Sequence, residues 1–230
     1  MLIPKQGECT LPSRSELARA SLKMTCAVAL YCLVHSALAS RRVKRAARRI
    51  FGTSVCNEFY RAFFNAQSLA GFAALAFYGR RLPNRDLYTC TGTGAAAMRV
   101  LQASGIGWAI WTAREAGIAE LLDVEPLLEQ RAGQHCALPD AQGPRMGETL
   151  DIRGPFLACR HPLNFAPLPV FWATPRLTVN RLVFNILGTA YLVLGSLHEE
   201  ARLKATYGPA YEQYVRSGVP FFLPDLRRLR

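Results

Sequence analysis

The strongest constraint on how this chain folds is an apolar run that is followed at once by a dense basic run. Residues 24–39 read MTCAVALYCLVHSALA, without Asp, Glu, Lys or Arg, and residues 41–49 read RRVKRAARR, with six basic residues and no acid. With the residues just before it, the apolar run approaches the roughly 20 residues that cross a bilayer as a helix. Basic residues gather on the cytoplasmic flank of such helices. The pattern predicts an uncleaved membrane helix; a signal peptide fits less well, because the positive charge follows the apolar run.

Four further apolar runs predict four further helices. The third run of the chain holds Arg99 and Gln102 and is expected to pack against other helices. The fourth run is short, holds Pro167 and Pro169, and is expected to form a hairpin with the fifth. The predicted fold class is therefore all-α, a polytopic membrane protein of about five transmembrane helices with a cytoplasmic C-terminal helical tail. The four runs are residues 62–78, 95–113, 163–173 and 182–197.

The formal net charge of +12 arises from 28 Lys and Arg residues against 16 Asp and Glu residues. An excess of basic residues of this size is typical of nucleic-acid-binding proteins. The basic residues flank apolar runs, however, and are not interleaved with aromatic residues as on nucleic-acid-binding surfaces. We expect no nucleic-acid partner, and we expect residues 41–49 to form a cytoplasmic loop that faces solvent or lipid phosphate. The seven cysteines are odd in number and form no Cys-x-x-Cys pair, so no disulfide scaffold is predicted.

Two polar clusters lie on the predicted cytoplasmic side and are candidates for chemistry. Residues 160–162 read Arg-His-Pro just before the fourth run, and residues 198–200 read His-Glu-Glu just after the fifth. A tight hairpin between these runs would bring both clusters to one membrane face, where ionisable groups mark functional sites. Glu199 and Glu200 are expected at the C-terminal end of a helix, where the helix dipole disfavours negative charge. The pair therefore predicts a cationic partner.

Each cluster also has a structural interpretation. Pro162 suits the first turn of a helix, with His161 at the helix start. Arg160 can anchor the chain to lipid phosphate. Glu200 and Lys204 are four residues apart, a spacing that suits an ion pair on a helix face. From these residues alone, a functional site and a structural role are equally open.

The order of motifs in the second half resembles a superfamily of membrane methyltransferases. RHPLNF at residues 160–165 precedes a hydrophobic hairpin, and EEARLKATYGPAYEQYVRSGVPFFLP at residues 199–224 follows it. This arrangement is similar to isoprenylcysteine carboxyl methyltransferases, phospholipid N-methyltransferases and methanethiol S-methyltransferases, from about residue 154 to residue 224. The segments LVHSALASRRVKRAARR, YRAFFN and WATPRLTVNR resemble the NnrU-type and methanethiol S-methyltransferase branch.

The resemblance implies S-adenosylmethionine as the methyl donor, bound where the two clusters meet. It implies that the adjacent carboxylates bind the cationic or ribose portions of the donor, and that the Arg-His pair binds its carboxylate. Two tyrosines of the tail are expected either to pack on the adenine or to anchor the tail at the membrane interface. The implied cofactor-binding residues are Gly154, Phe156, Arg160, His161, Pro162, Glu199, Glu200, Tyr211 and Tyr214.

The resemblance further implies methyl transfer to a small or lipophilic acceptor, with a thiol or an isoprenylcysteine-type carboxylate as first candidates. The expected catalytic residues are His161 and Arg160, with His161 or a carboxylate helping to deprotonate a thiol. We expect no protein nucleophile, because methyl transfer is a direct displacement that depends on positioning. We expect no metal, because the histidines lack metal-ligand spacing. The alternatives are a non-catalytic NnrU-like membrane protein and a phospholipid N-methyltransferase, and the oligomeric state is open.

This interpretation divides the chain into four parts. They are an N-terminal extension, a three-helix membrane region, a cytoplasmic loop, and a cofactor-binding helical hairpin with its tail. The active site is expected on the cytoplasmic side of the lipid bilayer. The four parts are residues 1–20, 21–113, 114–153 and 154–230.

The sequence departs from the superfamily at one place in the predicted site. Members often carry Tyr two residues after the proline of the Arg-His-Pro motif and Gly shortly beyond it. Here these positions are Asn164 and Ala166-Pro167. We expect this wall to face the cofactor or the substrate, so the acceptor can differ from that of other members.

Single polar and small residues carry further expectations. His35 lies in the middle of the first run beside Ser36 and needs a polar partner there. It is expected either to line a substrate cavity or, the favoured alternative, to hydrogen-bond a neighbouring helix. Gly71 and the pair Gly105 and Gly107 are expected to allow close helix packing. For the pair, a cofactor contact like the Gly-x-Gly contact of phospholipid methyltransferases is the less favoured alternative. Cys159 adjoins an arginine, which can lower the pKa of a thiol, but nothing else marks it as reactive and we expect an ordinary loop cysteine.

Overall fold

Most of the chain described by the computed structural model is helical. The described residues are 12–116, 150 and 152–229. The start of the predicted N-terminal extension, residues 1–11, and most of the predicted cytoplasmic loop, residues 117–149, lie outside them. Two 3-10 turns, Gly154–Leu157 and Leu226–Leu229, flank the second half. The elements are α1 (Arg14–Ala39), α2 (Arg41–Phe51), α3 (Thr53–Arg81), β1 (Asp86–Thr89), α4 (Gly92–Glu115), α5 (Pro162–Phe165), α6 (Pro167–Trp172), β2 (Arg176–Thr178), α7 (Val179–Tyr207) and α8 (Pro209–Arg216).

Local hydrogen bonds fix the ends of the long helices. At the start of α1, Ser13 Oγ accepts from the backbone N–H of Glu16 at 3.2 Å, and the Ser13 N–H donates to Glu16 Oε2 at 2.7 Å. This reciprocal pair is a capping box. At the start of α7, Thr178 Oγ1 accepts from the Arg181 N–H at 3.3 Å. That helix ends at Gly208, whose φ of 51° lies in the left-handed region that glycine adopts at low cost.

The basic run forms a helix, not the loop that the sequence predicted. Residues 41–49 lie within α2, which is separated from α1 by the single residue Ser40. Ser40 has extended backbone angles, and its hydroxyl accepts from the Val43 N–H at 3.3 Å, so it ends one helix and caps the next. Arginine, lysine and alanine are strong helix formers, which explains why the segment stays helical after the bend.

The first helix runs parallel to α7. Ser36, near the end of α1, lies with its Oγ 2.9 Å from the hydroxyl of Tyr191. The N-terminal parts of both helices meet in a shared core with α3. The two helices therefore run in the same direction. Because α2 follows α1 directly, α2 lies towards the end of the bundle at which α7 ends. The shared core consists of Met24, Val28 and Leu75, bordered by Val183, Phe184 and Leu187.

A small antiparallel sheet was not predicted and corrects the all-α expectation. Strand β1 follows α3 and strand β2 precedes α7, with Asp86 opposite Thr178 and Thr89 opposite Arg176. Arg176 Nε donates to Asp86 Oδ1 at 2.8 Å across the pair. Tyrosine and threonine favour strands, and the opposite charges favour the pairing. The sheet therefore ties the connection after α3 to the start of α7.

The fourth apolar run is broken, so it does not form one membrane-crossing helix. It divides at Ala166 into α5, of four residues, and α6, of six residues. A six-residue helix rises only about 9 Å, against the roughly 30 Å of a bilayer core. The break follows from Pro167, which cannot donate a backbone hydrogen bond. The hairpin predicted between the fourth and fifth runs is present, because Phe171 binds Asn185 and Asn164 binds Ser196, so the two runs lie antiparallel.

Two amides from neighbouring helices bind the carbonyls at the end of α6. Gln102 of α4 donates through Nε2 to Val170 O at 3.1 Å, and Asn185 of α7 donates through Nδ2 to Phe171 O at 2.8 Å. A helix leaves its last carbonyls without intrahelical partners, so these amides satisfy groups that would otherwise be costly to bury. The predicted packing of Gln102 against other helices is confirmed.

Close helix packing is also confirmed at Gly71 and Gly105, whereas a methyl group at Gly107 would have no neighbour within 4 Å, so packing there is not found. A methyl group added at Gly105 would lie 2.9 Å from Ala166 O, so α4 approaches the α5–α6 junction at a distance that only glycine permits. A methyl group at Gly71 would lie 3.1 Å from the ring of Tyr31, on α1. Small residues at such contacts allow helix backbones to approach each other.

Two of the described helices, α1 and α7, are long and apolar enough to cross a membrane by length and composition. The predicted count of about five spans is not confirmed. Both helices expose large apolar side chains that are each more than half accessible, unlike the buried face of a helix in a soluble core. Those side chains are Leu30, Leu33, Ile186 and Leu194.

Candidate functional site

The two polar clusters predicted from the sequence meet in the structure. Arg160 Nε donates to Glu200 Oε1 at 2.7 Å, across 40 residues of sequence. His161 lies between the carboxylates, with Nδ1 at 3.2 Å from Glu199 Oε2 and Nε2 at 3.3 Å from Glu200 Oε1. Arg160 and His161 lie just before α5, and both glutamates lie on α7. The hairpin of α5, α6 and α7 thus brings them together as predicted.

The cluster lies at the opposite end of α7 from the small sheet. The sheet adjoins the first residue of this helix, Val179, and Glu199 lies about 30 Å further along the axis at 1.5 Å per residue. Because α2 also lies towards this end, the basic helix and the polar cluster share one end of the bundle. The sequence predicted both on one membrane face, and their shared end agrees with that relative placement.

Glu200 is the more enclosed of the two carboxylates. Its Oε1 accepts from Arg160 Nε at 2.7 Å, from the Tyr211 hydroxyl at 2.9 Å, and faces His161 Nε2 at 3.3 Å. Lys204 Nζ lies 4.0 Å from Oε2, which is the predicted pair four residues along the helix. The side chains of Arg160 and Glu200 are only 13% and 12% exposed. The charge of Glu200 is therefore balanced within the protein.

Glu199 is more open. Its side chain is 34% exposed, and its Oε2 accepts from Asn164 Nδ2 at 3.2 Å and faces His161 Nδ1 at the same distance. No hydrogen bond to its Oε1 is found among the described residues. One oxygen of Glu199 is therefore held by the protein, and the other is available to a ligand.

His161 is buried between the two glutamates. Its side chain is 1% exposed, and the edge of its ring packs near Phe221, with ring centroids 5.1 Å apart. Carboxylates are acceptors, so the doubly protonated imidazole can donate to both glutamates and the neutral ring to one only. The contacts of His161 suit a residue that holds Glu199 and Glu200 in fixed positions.

The end of the tail closes over Arg160. Arg160 Nη1 donates to Val219 O at 2.9 Å, and its backbone N–H donates to Pro220 O at 2.9 Å. The guanidinium carbon lies 5.7 Å from the ring centroid of Phe221. These contacts explain why the tail sequence belongs to the site: it supplies carbonyl acceptors that orient the arginine towards Glu200.

One part of the argument for a cationic partner is corrected. The sequence placed Glu199 and Glu200 at the C-terminal end of a helix, but α7 continues for two more turns, to Tyr207. The helix dipole acts mainly within the last turn, so it contributes little at these positions. The cationic groups beside them are those of Arg160 and Lys204.

The two tyrosines of the tail connect it to the site through their hydroxyls. Tyr211 donates to Glu200 Oε1 at 2.9 Å, and Tyr214 donates to Phe156 O at 2.5 Å. They are 1% and 5% exposed and meet edge to face, with centroids 5.8 Å apart. Burial, and then the hydrogen bond to Glu200, raises the pKa of Tyr211 well above its ordinary value, and burial raises that of Tyr214. Both phenols are therefore neutral donors, and their packing on an adenine stays a prediction.

The segment before the Arg-His-Pro motif is a tight turn against α4. Gly154 has a φ of 54°, and a methyl group there would lie 2.7 Å from the side chain of Glu115. Pro162 begins α5 as predicted, and its carbonyl accepts from Trp108 Nε1 at 3.1 Å. Phe156 takes part through its carbonyl, which binds Tyr214. The helix α4 thus sets the position of the whole turn.

Two single residues have the ordinary roles that the sequence favoured. His35 Nδ1 lies 3.0 Å from Ser68 Oγ on α3, which confirms a hydrogen bond to a neighbouring helix. Cys159 is fully buried, and burial raises the pKa of its thiol to about 11. The lowering of its pKa by the adjacent arginine, considered from the sequence, is not found.

Several residues at the site were not predicted to belong to it. Ser196 lies one turn before Glu199 on α7, so helical spacing points to it. Phe221 lies in the aromatic part of the tail, and Trp108 lies on α4 without any local signal. Asn164 was expected only to form a wall, but it contacts Glu199 directly.

A separate open groove of about 870 Å³ lies along the tail. Of the predicted site residues, Tyr214 lines it, whereas Glu199 and His161 do not. Its other walls come from the end of α7, from α8 and from segments outside these two helices. They include Leu157, Tyr207, Gln213, Ser217 and Arg228.

Comparison with known proteins supports the resemblance seen in the sequence. Part of the chain is 42% identical over 69 residues to a methanethiol S-methyltransferase of Pseudomonas deceptionensis, which is 30% of this chain and 26% of that protein. It is 42% identical over 67 residues to methanethiol S-methyltransferase 2 of Bradyrhizobium diazoefficiens, 29% of this chain and 26% of the relative. The corresponding Mycobacterium tuberculosis protein is 38% identical over 65 residues, 28% of this chain and 26% of the relative.

The matched stretch thus spans about a quarter of the length of these relatives. The predicted similarity to the methanethiol S-methyltransferase branch is confirmed over that stretch. No protein-family model matches the chain. No solved structure matches it either.

Proposed function

We propose that this chain is an S-adenosylmethionine-dependent membrane methyltransferase whose acceptor is a small thiol. The observation that carries the proposal is the meeting of Arg160 and His161 with Glu199 and Glu200, in a chain similar to methanethiol S-methyltransferases. The names of those relatives favour a thiol over an isoprenylcysteine-type carboxylate or a phospholipid amine. They also disfavour the non-catalytic NnrU-like alternative.

The residues of the site fit the proposed donor. S-adenosylmethionine carries an ammonium group and a carboxylate at one end, beside a sulfonium. Glu199 offers an oxygen that binds no described residue, on a side chain that is one-third exposed, and so suits the ammonium group. Arg160 uses Nε and Nη1 within the protein and forms no hydrogen bond through Nη2 to the described residues, which leaves that group for a carboxylate.

The bound donor would supply an electrophilic methyl group, and the chain would bind, orient and dehydrate the reactants. Direct displacement at carbon depends on alignment and on exclusion of water, and it requires no covalent enzyme intermediate. His161 holds both carboxylates, and Tyr211 and Arg160 hold Glu200, so Glu199 sits on a preorganised support. The catalytic role of His161 in thiol deprotonation stays a prediction. Unchanged turnover of His161→Asn at saturating donor would contradict it.

We place the site at the cytoplasmic face of a membrane. The candidate spans α1 and α7 support integration into a bilayer. The basic helix α2 lies towards the same end of the bundle as the cluster, and basic flanks favour the cytoplasm. Labelling with a membrane-impermeant thiol reagent in intact cells tests this, using a cysteine introduced at Arg45 on α2. Labelling of the Arg45→Cys protein above that of the parent chain, whose own free cysteines can react as well, would contradict the cytoplasmic assignment.

The test of the activity is a methyl-transfer assay on the detergent-purified full chain. Methyl-labelled S-adenosylmethionine is supplied with methanethiol, with a prenylated cysteine or with a phospholipid headgroup amine. We expect transfer to the thiol, and we expect Glu199→Gln to weaken S-adenosylhomocysteine binding roughly 10- to 100-fold, the size of a lost charged hydrogen bond. Transfer only to one of the other acceptors would overturn the thiol assignment. Folded protein that neither transfers methyl groups nor binds S-adenosylhomocysteine would overturn the enzyme proposal.

A matched control is Glu212→Gln. Glu212 also pairs with an arginine, Arg216, at 2.9 Å, but it lies on the exposed face of α8. This substitution removes one negative charge without touching the cluster, so binding of S-adenosylhomocysteine should be unchanged.

A further inference from the structure

Asn164 lies where α5 faces α7 and bonds two residues of the longer helix. Its Nδ2 donates to Ser196 Oγ at 2.9 Å and to Glu199 Oε2 at 3.2 Å. The two acceptors lie one turn apart on the same face of α7. One amide group therefore spans a full turn of the helix that carries the open carboxylate.

The direction of these bonds is fixed by the chemistry of the acceptors. Ser196 has one hydroxyl hydrogen and donates it to Leu192 O at 2.9 Å, so its oxygen can only accept from Asn164. An ionised Glu199 is an acceptor as well. Only the NH₂ end of Asn164 satisfies both, so the amide orientation is determined and both of its hydrogens are used.

The surroundings of Asn164 hold it in place. It lies in the first turn of α5, which begins at the fully buried Pro162, and the Pro162 carbonyl accepts from Trp108 Nε1 at 3.1 Å. Ser196 is fully buried. Trp108 of α4 thus holds the backbone turn that carries Asn164, and α7 binds its amide.

We propose that Asn164 is a positioning residue that orients Glu199 for the donor. Asn164 and His161 both bind Oε2 of Glu199, which turns Oε1 towards solvent and towards the ammonium group of S-adenosylmethionine. This inference rests on the proposed function, because it concerns the ligand of the same carboxylate. It gives the departure of this chain at position 164 a defined role: the amide acts through Glu199 and does not contact the acceptor.

The experiment measures S-adenosylhomocysteine binding by calorimetry on the full chain in detergent. Asn164→Leu keeps the approximate size of the side chain and removes the donor, and we expect the Kd to rise about tenfold, equivalent to about 1.4 kcal/mol. Asn164→Asp places a second carboxylate against Glu199 and should raise the Kd further. Both variants should leave kcat for the thiol at saturating donor within about threefold, because the loss is in binding of the donor.

The matched control is Asn185→Ala. Asn185 is also an asparagine at the contact between α7 and the α5–α6 hairpin, but it is a buried residue of α7 itself, and its amide binds Phe171 O at 2.8 Å, away from the cluster. We expect this variant to lower Tm without changing the Kd of the folded protein. An equal rise of the Kd in Asn185→Ala and Asn164→Leu would mean that general loosening of the bundle explains the effect, which overturns the inference.

A double-mutant cycle separates positioning from a merely structural role. In a Glu199→Gln background, Asn164→Leu should change the Kd by less than about twofold, because its effect passes through the missing charge. The same loss in both backgrounds, or an unchanged Kd in Asn164→Leu alone, overturns the inference while the proposed function stands. If the folded wild-type chain does not bind S-adenosylhomocysteine, the proposed function itself fails and this inference fails with it.

Discussion

Arg160 and Glu200, 40 residues apart, form a 2.7 Å hydrogen-bonded ion pair that is almost closed to solvent. This ion pair gives the two adjacent glutamates different environments. Glu200 has its charge balanced by the protein, whereas Glu199 keeps one oxygen open. The two neighbouring carboxylates therefore have different surroundings, and in the proposed function Glu200 assembles the site while Glu199 binds the donor.

Glu200→Gln is expected to destabilise the protein more than Glu199→Gln does. The first substitution leaves the enclosed guanidinium of Arg160 without its counter-charge, which costs roughly 3 kcal/mol when one partner of a buried pair is removed. The second affects a side chain that is 34% exposed and should cost under about 1 kcal/mol. Thermal unfolding in detergent gives the comparison. Equal shifts in Tm for the two variants would contradict the division of roles.

Tyr211→Phe tests the contribution of the Tyr211 hydroxyl apart from that of its ring. The variant removes the donor to Glu200 Oε1 and should lower the free energy of unfolding by about 1–2 kcal/mol. The aromatic ring is retained, so any packing on the adenine is retained as well. We expect a lower Tm with little change in S-adenosylhomocysteine affinity. Tyr211→Leu, which removes the ring, should weaken binding if the tyrosine packs on the adenine.

The order of elements and the pairing of the clusters could be predicted from the sequence. Apolar runs and the Arg-His-Pro and Glu-Glu motifs are local signals, and a short hairpin permits only one way for them to meet. The helical state of residues 41–49 was missed because their basic composition was interpreted as a loop, although arginine and alanine favour helices. The small sheet was missed because strand pairing between segments far apart in the chain, such as Asp86 with Thr178, produces no pattern in the local sequence.

The individual contacts of the site depend on tertiary structure. The sequence assigned Tyr211 to the site but could not show that its hydroxyl binds Glu200. Asn164 stood out only as a departure from a motif, and its bond to Glu199 depends on how α5 lies against α7. Trp108 supports the turn from α4, in a run that looked like an ordinary apolar helix. Such contacts follow from packing angles, which spacing along the chain does not determine.

Cys159 is expected to resist alkylation at neutral pH. Its side chain is fully buried, and burial raises the pKa of its thiol from the ordinary value of 9.0 to about 11. The thiolate is the reactive form, so iodoacetamide should modify Cys159 slowly at pH 8 and faster as the pH approaches 11. Because the folded state holds this proton more tightly, the contribution of Cys159 to stability is lost as the pH rises from 9 towards 11. Mass spectrometry of the folded and detergent-denatured protein measures the modification. Fast alkylation of the folded chain at pH 8 would contradict the burial.

Gln102→Leu tests whether the end of α6, in the divided fourth apolar run, depends on the hydrogen bond from α4. The substitution makes the third apolar run more hydrophobic, so hydropathy alone predicts an unchanged or higher Tm. In the structure it removes the donor to Val170 O at 3.1 Å and leaves a carbonyl at the end of α6 unpaired. An unpaired buried carbonyl costs about 1–3 kcal/mol, so we expect a lower Tm in detergent. Val100→Leu, on the exposed face of the same helix, is the matched control and should leave Tm unchanged. An equal or higher Tm for Gln102→Leu would show that α6 does not need this amide.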